Sequence, residues 1–175
     1  ENDGFGRVLA LDGDTLVVGA FSESSNATGV DGNQADDSLT RAGAAYVFRR
    51  SGTTWTQEAY LKASNTDLND VFGSAIDVLG DTIAIGAPGE SSNATGVDGN
   101  QANNSKAVSG AVYTFTRSNG VWTQEAYIKA SNTEGQTSFG TAVALEGDRL
   151  AVGSPRERSD STGIDAEQNL DGSSN

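Results

Sequence analysis

Phe72-Gly-Ser-Ala-Ile-Asp-Val-Leu-Gly-Asp-Thr-Ile-Ala-Ile-Gly-Ala-Pro88 is the stretch that decides the fold. Phe72–Leu79 reads as a first strand. Gly80-Asp81 follows, and a Gly-Asp pair between two apolar runs signals a tight hairpin. Thr82–Ala87 is nearly continuous in apolar residues, as expected of a strand buried on both faces. The same stretch occurs on either side at a spacing of 67 residues. Phe5-Gly6 and Phe139-Gly140 repeat its opening, Gly13-Asp14 and Gly147-Asp148 its turn, and Gly19-Ala20 and Gly153-Ser154 its close.

Working outward, each copy of Phe5–Leu11 and Phe72–Leu79 is followed by Thr15–Ala20, Thr82–Ala87 or Arg149–Gly153 as strand two. Gly43–Arg49 and Gly110–Thr116 read as strand three, and Thr54–Ala63 and Val121–Ala130 as strand four. Trp55-Thr-Gln-Glu-Ala-Tyr60 returns as Trp122-Thr-Gln-Glu-Ala-Tyr127. No useful stretch has a 3.6-residue period, so the fold is expected to be all-β. Four antiparallel strands in a unit of this size make a β-propeller blade. The chain divides into blade 1 (1–71), blade 2 (72–138) and 139–175. The last piece holds strands one and two of a third blade plus a long loop, giving about two and a half blades in all. A blade cannot bury both of its faces alone, so neighbours must stack on it.

Composition narrows the function. The formal charge is −13 and the sequence pI about 4.1. Such a surface repels nucleic-acid phosphates and anionic membranes and attracts cations. Cys, His and Met are absent. That excludes disulfides, thiol nucleophiles, zinc sites of the usual ligands and His-based acid–base chemistry. No apolar run approaches the ~20 residues that span a bilayer. With 22 Gly and 2 Pro, short strands joined by Gly-rich turns are favoured.

The Phe-Gly opening, the Gly86-Ala87-Pro88 close and the third strand Gly110-Ala-Val-Tyr-Thr-Phe115 resemble FG-GAP repeats, which build the β-propeller of integrin α subunits and of many bacterial surface proteins. The resemblance covers the whole chain. It implies a secreted or cell-surface, non-catalytic propeller acting in adhesion or ligand binding. Many such blades hold calcium in an Asp-rich loop between strands one and two. Here that loop is only Asp12-Gly13-Asp14 and its equivalents. The loop between strands two and three is long instead, about 22 residues (Phe21–Ala42, Pro88–Ser109).

Residues 23–35 recur unchanged at 90–102, although loops usually vary more than the elements they join. In the third copy Glu157, Thr162-Gly163, Asp165, Gln168 and Asp171 hold the matching places. Three explanations compete. The loop could be a compact flap, its Gly residues supplying positive φ and its Asn, Asp, Ser and Thr capping its own backbone. It could be a cation site, with Ca2+ held by oxygens from Glu23, Asp31 and Asp37, from Glu90, Asp98 and Asn104, and from Glu157, Asp165 and Asp171. It could contact a partner, a protein or glycan ligand or further copies of the chain, through Asn26, Thr28, Asn33, Gln34, Asn93, Thr95, Asn100 and Gln101.

Other features carry less. Asn26, Asn93 and Asn103 begin N-glycosylation sequons, but read more simply as ordinary polar loop residues. Trp55 and Trp122 could stack on sugars, but such a Trp more often packs between blades or on the outer strand. Asp36-Asp37 and Asp67/Asp70 could pair as catalytic carboxylates. Near-identical blades argue against an enzyme, because an active site is a single asymmetric constellation. A closed propeller needs four to eight blades, so the chain reads as a segment of a longer array. The expected function is a binding or adhesion scaffold working through the long loops. The alternatives are a structural subunit of a surface filament or spacer, and an accessory domain of a larger secreted enzyme.

Overall fold

A computed structural model describes residues 2–159. Among them there is no helix and hence none long and apolar enough to cross a membrane. The strands are β1 (Leu9–Asp12), β2 (Thr15–Ala20), β3 (Ala44–Ser51), β4 (Thr54–Leu61), β5 (Ala75–Leu79), β6 (Thr82–Ala87), β7 (Ala111–Ser118), β8 (Val121–Ile128), β9 (Ala142–Glu146) and β10 (Arg149–Gly153). They form two four-stranded antiparallel sheets, ordered β1-β2-β3-β4 and β5-β6-β7-β8, and the pair β9-β10. The fold is all-β and built of propeller-type blades.

Strand two begins and ends where its apolar run does. The other strands depart from their expected bounds: strand three runs two residues further, to Ser51 and Ser118, and the remaining ends are shifted for local reasons. Phe5-Gly6 and Phe72-Gly73 lie before β1 and β5, not within them, because Gly6 and Gly73 take φ of +84° and +87° and turn the chain. Strand three starts one residue late, since Gly43 and Gly110 leave their own sheet to bridge Phe72 and Phe139 in parallel. Strand four stops at Leu61 and Ile128. Beyond Leu61 the backbone pairs with the long loop, Lys62 N donating to Gly29 O at 2.8 Å. Each β4-type strand carries a bulge that admits one extra residue, Glu58 opposite Val47/Phe48 and Glu125 opposite Thr114/Phe115.

Cross-strand register gives each blade two unlike faces. On blade 2, Ile76, Val78, Ile83, Ile85, Tyr113, Phe115 and Tyr127 share one face and are buried. Phe72 stands edge-on to Tyr113 and Phe115 on that side. On blade 1 the opposite face is small: Ala10, Val17, Gly19, Ala45, Val47, Ala59 and Leu61. The large face of blade 2 seats on the small face of blade 1, and these residues form one core cluster. β5 lies over β1 and β2, and β9 repeats this over β5 and β6. Burial of this apolar surface drives the stacking.

Polar contacts hold the junctions in register. Asp12 Oδ2 accepts Gly80 N at 2.7 Å, and Asp77 Oδ2 accepts Leu145 N at 2.7 Å. The bulge residue Glu58 reaches blade 2, where its Oε2 accepts Arg117 Nη1 at 2.9 Å and Trp122 Nε1 at 3.0 Å. Arg117 also lies 5.0 Å over the Trp122 ring. Trp122 is therefore a packing residue between blades.

Candidate functional site

The long loop starts with a turn at the end of strand two, Glu23 N donating to Ala20 O at 3.0 Å. Its two ends are tied by Gly43 N to Glu23 O at 2.9 Å and Leu39 N to Ser24 O at 2.7 Å. Its middle crosses to the outer edge of β4. There Val30 bridges Leu61, and Asp31 N donates to Tyr60 O at 2.8 Å. The Asp31 carboxylate accepts Tyr60 N at 2.9 Å. Blade 2 repeats this, with Val97 on Ile128, Asp98 N on Tyr127 O at 2.7 Å, and Asp98 Oδ1 accepting Tyr127 N at 2.9 Å. An exposed sheet edge is thereby covered by its own loop.

The interior of the loop is a frame of side-chain-to-backbone bonds. Ser25 Oγ donates to Asn33 O at 2.7 Å and accepts Ala27 N at 3.0 Å, while Asn33 Oδ1 accepts Ala35 N at 3.1 Å. Ser92, Asn100, Ala94 and Ala102 reproduce all three. This compact flap explains much of the identity between 23–35 and 90–102.

Beneath each flap lies a buried ion pair. Lys62 Nζ donates to Glu23 Oε2 at 2.9 Å and to Ser25 O at 2.7 Å. Lys129 Nζ donates to Glu90 Oε2 at 2.5 Å and to Ser109 Oγ at 2.7 Å. Both Lys side chains are wholly buried. Burial pushes both ammonium groups below the usual Lys range, and the Glu partner opposes this. The second pair belongs to a wider network across the blade junction. Glu90 Oε1 accepts Asn65 Nδ2 at 3.0 Å, Tyr127 Oη at 3.0 Å and Ser92 N at 3.1 Å, and Tyr113 Oη donates to Asn65 Oδ1 at 2.5 Å.

Asp70 sits buried beside this network. Burial raises its carboxyl to about 8; the Asp67 N–H bond opposes the rise and the charges of Glu90 and Asp67 add to it. The unfolded carboxyl titrates near 3.9. Folding therefore retains a proton that the unfolded chain releases, and stability is greatest below about 4 and falls until about 8. Thr137 holds the equivalent place at the next junction and bonds Ser109 O at 3.0 Å without charge. Asp70→Asn is expected to match the parent at pH 4 and to become progressively more stable than it as the pH rises to 8. Urea titrations across that range measure the difference, and a constant gap would refute the assignment.

The oxygen residues expected to bind Ca2+ are not brought together. Glu23 and Glu90 are engaged by Lys, and Asp31 and Asp98 by backbone N–H groups. Asp37 is exposed. Asn104 Nδ2 donates to Asp67 Oδ2. Glu157 accepts Asn132 Nδ2 at 3.0 Å and Ser159 Oγ at 2.8 Å, and the Ser159 bond lowers its titration. Asp165 and Asp171 lie outside the described residues. Among those described, no group of three or more acidic side chains is gathered to hold a metal ion. Glu23, Glu90, Asp31 and Asp98 build the loop, because a carboxylate satisfies backbone donors and a buried cation as readily as it ligates a metal.

The contact residues fare differently. Asn26, Thr28, Asn33, Gln34, Asn93, Thr95 and Asn100 are exposed on the two flaps. Gln101 is half-buried, its Oε1 accepting Ser64 Oγ at 2.5 Å from the preceding blade connection. Gln34 Oε1 accepts Gln57 Nε2 at 3.3 Å. Of the sequon residues, Asn26 and Asn93 are exposed and Asn103 is half-buried, its Oδ1 accepting Ser105 N at 2.9 Å. Sequence reading missed Lys62, Lys129, Asn65 and Glu58. The repeated Lys-Ala-Ser-Asn-Thr at 62–66 and 129–133 was the available signal, a lone cation closing an otherwise apolar strand end.

No curated protein matches this chain. The FG-GAP repeat family matches it at residues 1–48, 55–115 and 122–167. The second match begins in β4 and ends in β7, so the family unit straddles a blade junction. It contains Glu58, Asn65 and Glu90, whose side chains bond across the junction between the two blades. With matches over most of its length, and with the blade stacking those matches span, the chain belongs to the FG-GAP repeat family.

Proposed function

We propose that this chain is a non-catalytic binding scaffold, secreted or displayed at a cell surface, whose contact surface is the crest of the flaps between strands two and three. The observation that carries this is a division within the identical loop segments. Glu23, Ser25, Asp31 and Asn33, like Glu90, Ser92, Asp98 and Asn100, are held by the flap's own architecture. Asn26 and Thr28, with Asn93 and Thr95, are exposed, and their side chains form no part of that frame. The flap does not require their identity, so a bound partner accounts for it. A protein or glycan surface rich in hydrogen-bonding groups suits these amides and hydroxyls, and the chain's negative charge disfavours nucleic acid.

The test is a chain carrying Asn26→Ala, Thr28→Ala, Asn93→Ala and Thr95→Ala together. Screened against arrays of immobilised glycans and extracellular proteins, the parent is expected to give hits that the variant loses at least tenfold, about 1.4 kcal/mol or more, at unchanged Tm. Equal binding by the two would place the contact elsewhere. A structural subunit is the second reading, favoured by the unlike faces of each blade.

A further inference from the structure

We propose that the two flap crests are equivalent binding sites for one repeating, neutral polysaccharide, each taking sugar hydroxyls through Asn26 and Thr28 or through Asn93 and Thr95. This rests on the reading that the crests are the contact surface, and it names what they contact. The observation is that the molecule presents the same fixed pair of side chains twice. In blade 1 the backbone is tied around the pair. Ser25 Oγ accepts Ala27 N at 3.0 Å, Gly29 N donates to Ala63 O at 3.3 Å, and Lys62 N donates to Gly29 O at 2.8 Å. Blade 2 makes the same three bonds, Ala94 N to Ser92 Oγ at 2.9 Å, Gly96 N to Ala130 O at 3.4 Å and Lys129 N to Gly96 O at 2.8 Å. The residue between the two crest side chains turns inward. Ala27 and Ala94 pack on Gly32 and Gly99, where an added Cβ would stand 2.6 Å and 2.8 Å from the Ala Cβ. Asn26 and Thr28, like Asn93 and Thr95, are thereby held outward and exposed. Binding to such a crest costs little ordering of the backbone.

The chemistry of the crest selects the ligand. An amide and a hydroxyl two residues apart offer donors and acceptors together, which neighbouring sugar hydroxyls can use. Protein interfaces draw their affinity from buried aromatic, Met and Arg side chains. Residues 23–35 and 90–102 contain none of these. They contain no Lys either, and Asp31 and Asp98 are exposed beside the crests. An acidic polymer would therefore be repelled. Identity between the crests adds the repeat. An asymmetric protein partner would meet the two flaps with different groups and would ask for different residues on each. A polymer of one repeating unit meets both with the same hydroxyls. Each crest makes few hydrogen bonds, so each site is weak, and engaging both on one polymer strand raises the affinity through effective concentration.

Affinity electrophoresis in native gels decides, with dextran, mannan, laminarin or xyloglucan in the gel and alginate as the acidic comparator. At least one neutral polymer is expected to retard the parent, and alginate is not. Asn26→Ala with Thr28→Ala, and Asn93→Ala with Thr95→Ala, are each expected to weaken that binding by about tenfold or more, to similar extents and at unchanged Tm. A disaccharide of the retarding polymer, followed by NMR titration, should fill two sites on the parent and one on either variant. Retardation by none of the neutral polymers, or by alginate alone, would overturn the proposal. So would one flap carrying all of the binding. Protein hits on the array that need the crest residues, without retardation by any polysaccharide, would leave the binding reading standing and remove only this one. Binding by the four-residue variant equal to the parent's would remove both.

Discussion

Lys129→Met is expected to destabilise the chain by about 3–5 kcal/mol. The ammonium is wholly buried and, among the described residues, is the only cation bonded to Glu90. Met fills most of the same volume, so the loss is one of charge. Glu90 keeps three donors, from Asn65, Tyr127 and Ser92, but these neutral dipoles replace only part of the lost cation. The paired substitution Lys129→Met with Glu90→Gln separates the two contributions. The Gln carbonyl can accept the same three donors, and no uncompensated charge remains. It is expected to lie within about 2 kcal/mol of the parent, because a buried ion pair offsets much of its attraction against desolvation. Urea denaturation of parent, both single variants and the double variant gives the coupling. A cost below about 1 kcal/mol for Lys129→Met would show that the pair does not anchor the flap. The same substitution should speed hydrogen exchange at Asp98, whose amide ties the flap to the sheet edge.

The sequence announced the blades but not what joins them, and the reason is distance along the chain. Strand two was legible to the residue because its apolar run is bounded by a Gly-Asp turn and by Gly-Ala. Phe-Gly looked like the start of a strand, yet Gly73 at φ +87° makes it a corner. The flap was legible as a uniform polar loop. Its anchor was not, since Glu23 and Lys62 are 39 residues apart. Nor was Glu58, which meets Arg117 across 59 residues and only because a bulge turns it toward the next blade. Periodicity reports which residues share a face within one element. It is silent on pairs that meet when separate sheets stack. The roles of the repeated acidic residues were hidden for the same reason: Glu and Asp at repeated positions signal a repeated electrostatic task, and the partners were Lys62 and Lys129 for the Glu residues and the Tyr60 and Tyr127 amides for Asp31 and Asp98.

Gly43→Ala is expected to cost more than about 4 kcal/mol, beyond the usual range for one substitution. Two causes act together there. Gly43 has φ +83°, which an L side chain tolerates at about 1–2 kcal/mol. A Cβ at that position would also stand 2.1 Å from Phe72 O and 2.5 Å from Phe72 N. Those atoms are backbone and cannot swing aside. Gly52 is the control. It has φ +60° in the hairpin between β3 and β4, with nothing within 4 Å of its Cβ position. Gly52→Ala should therefore carry the conformational cost alone, about 1 kcal/mol. The difference between the two measures how closely the backbone of blade 1 must approach the Phe-Gly corner of blade 2. At that corner Phe72 N donates to Ala42 O at 3.1 Å and Val71 N to Arg41 O at 3.1 Å. Opening it should expose both amides, so hydrogen exchange at Val71 and Phe72 should rise in Gly43→Ala and not in Gly52→Ala. Equal stability losses in the two variants would mean that side-chain burial alone stacks the blades. A large excess at Gly43 would mean that the Gly opening strand three, together with the Phe-Gly corner, is a backbone clasp between neighbours. Gly110, whose Cβ would lie 2.0 Å from Phe139 O, would then close the next junction in the same way.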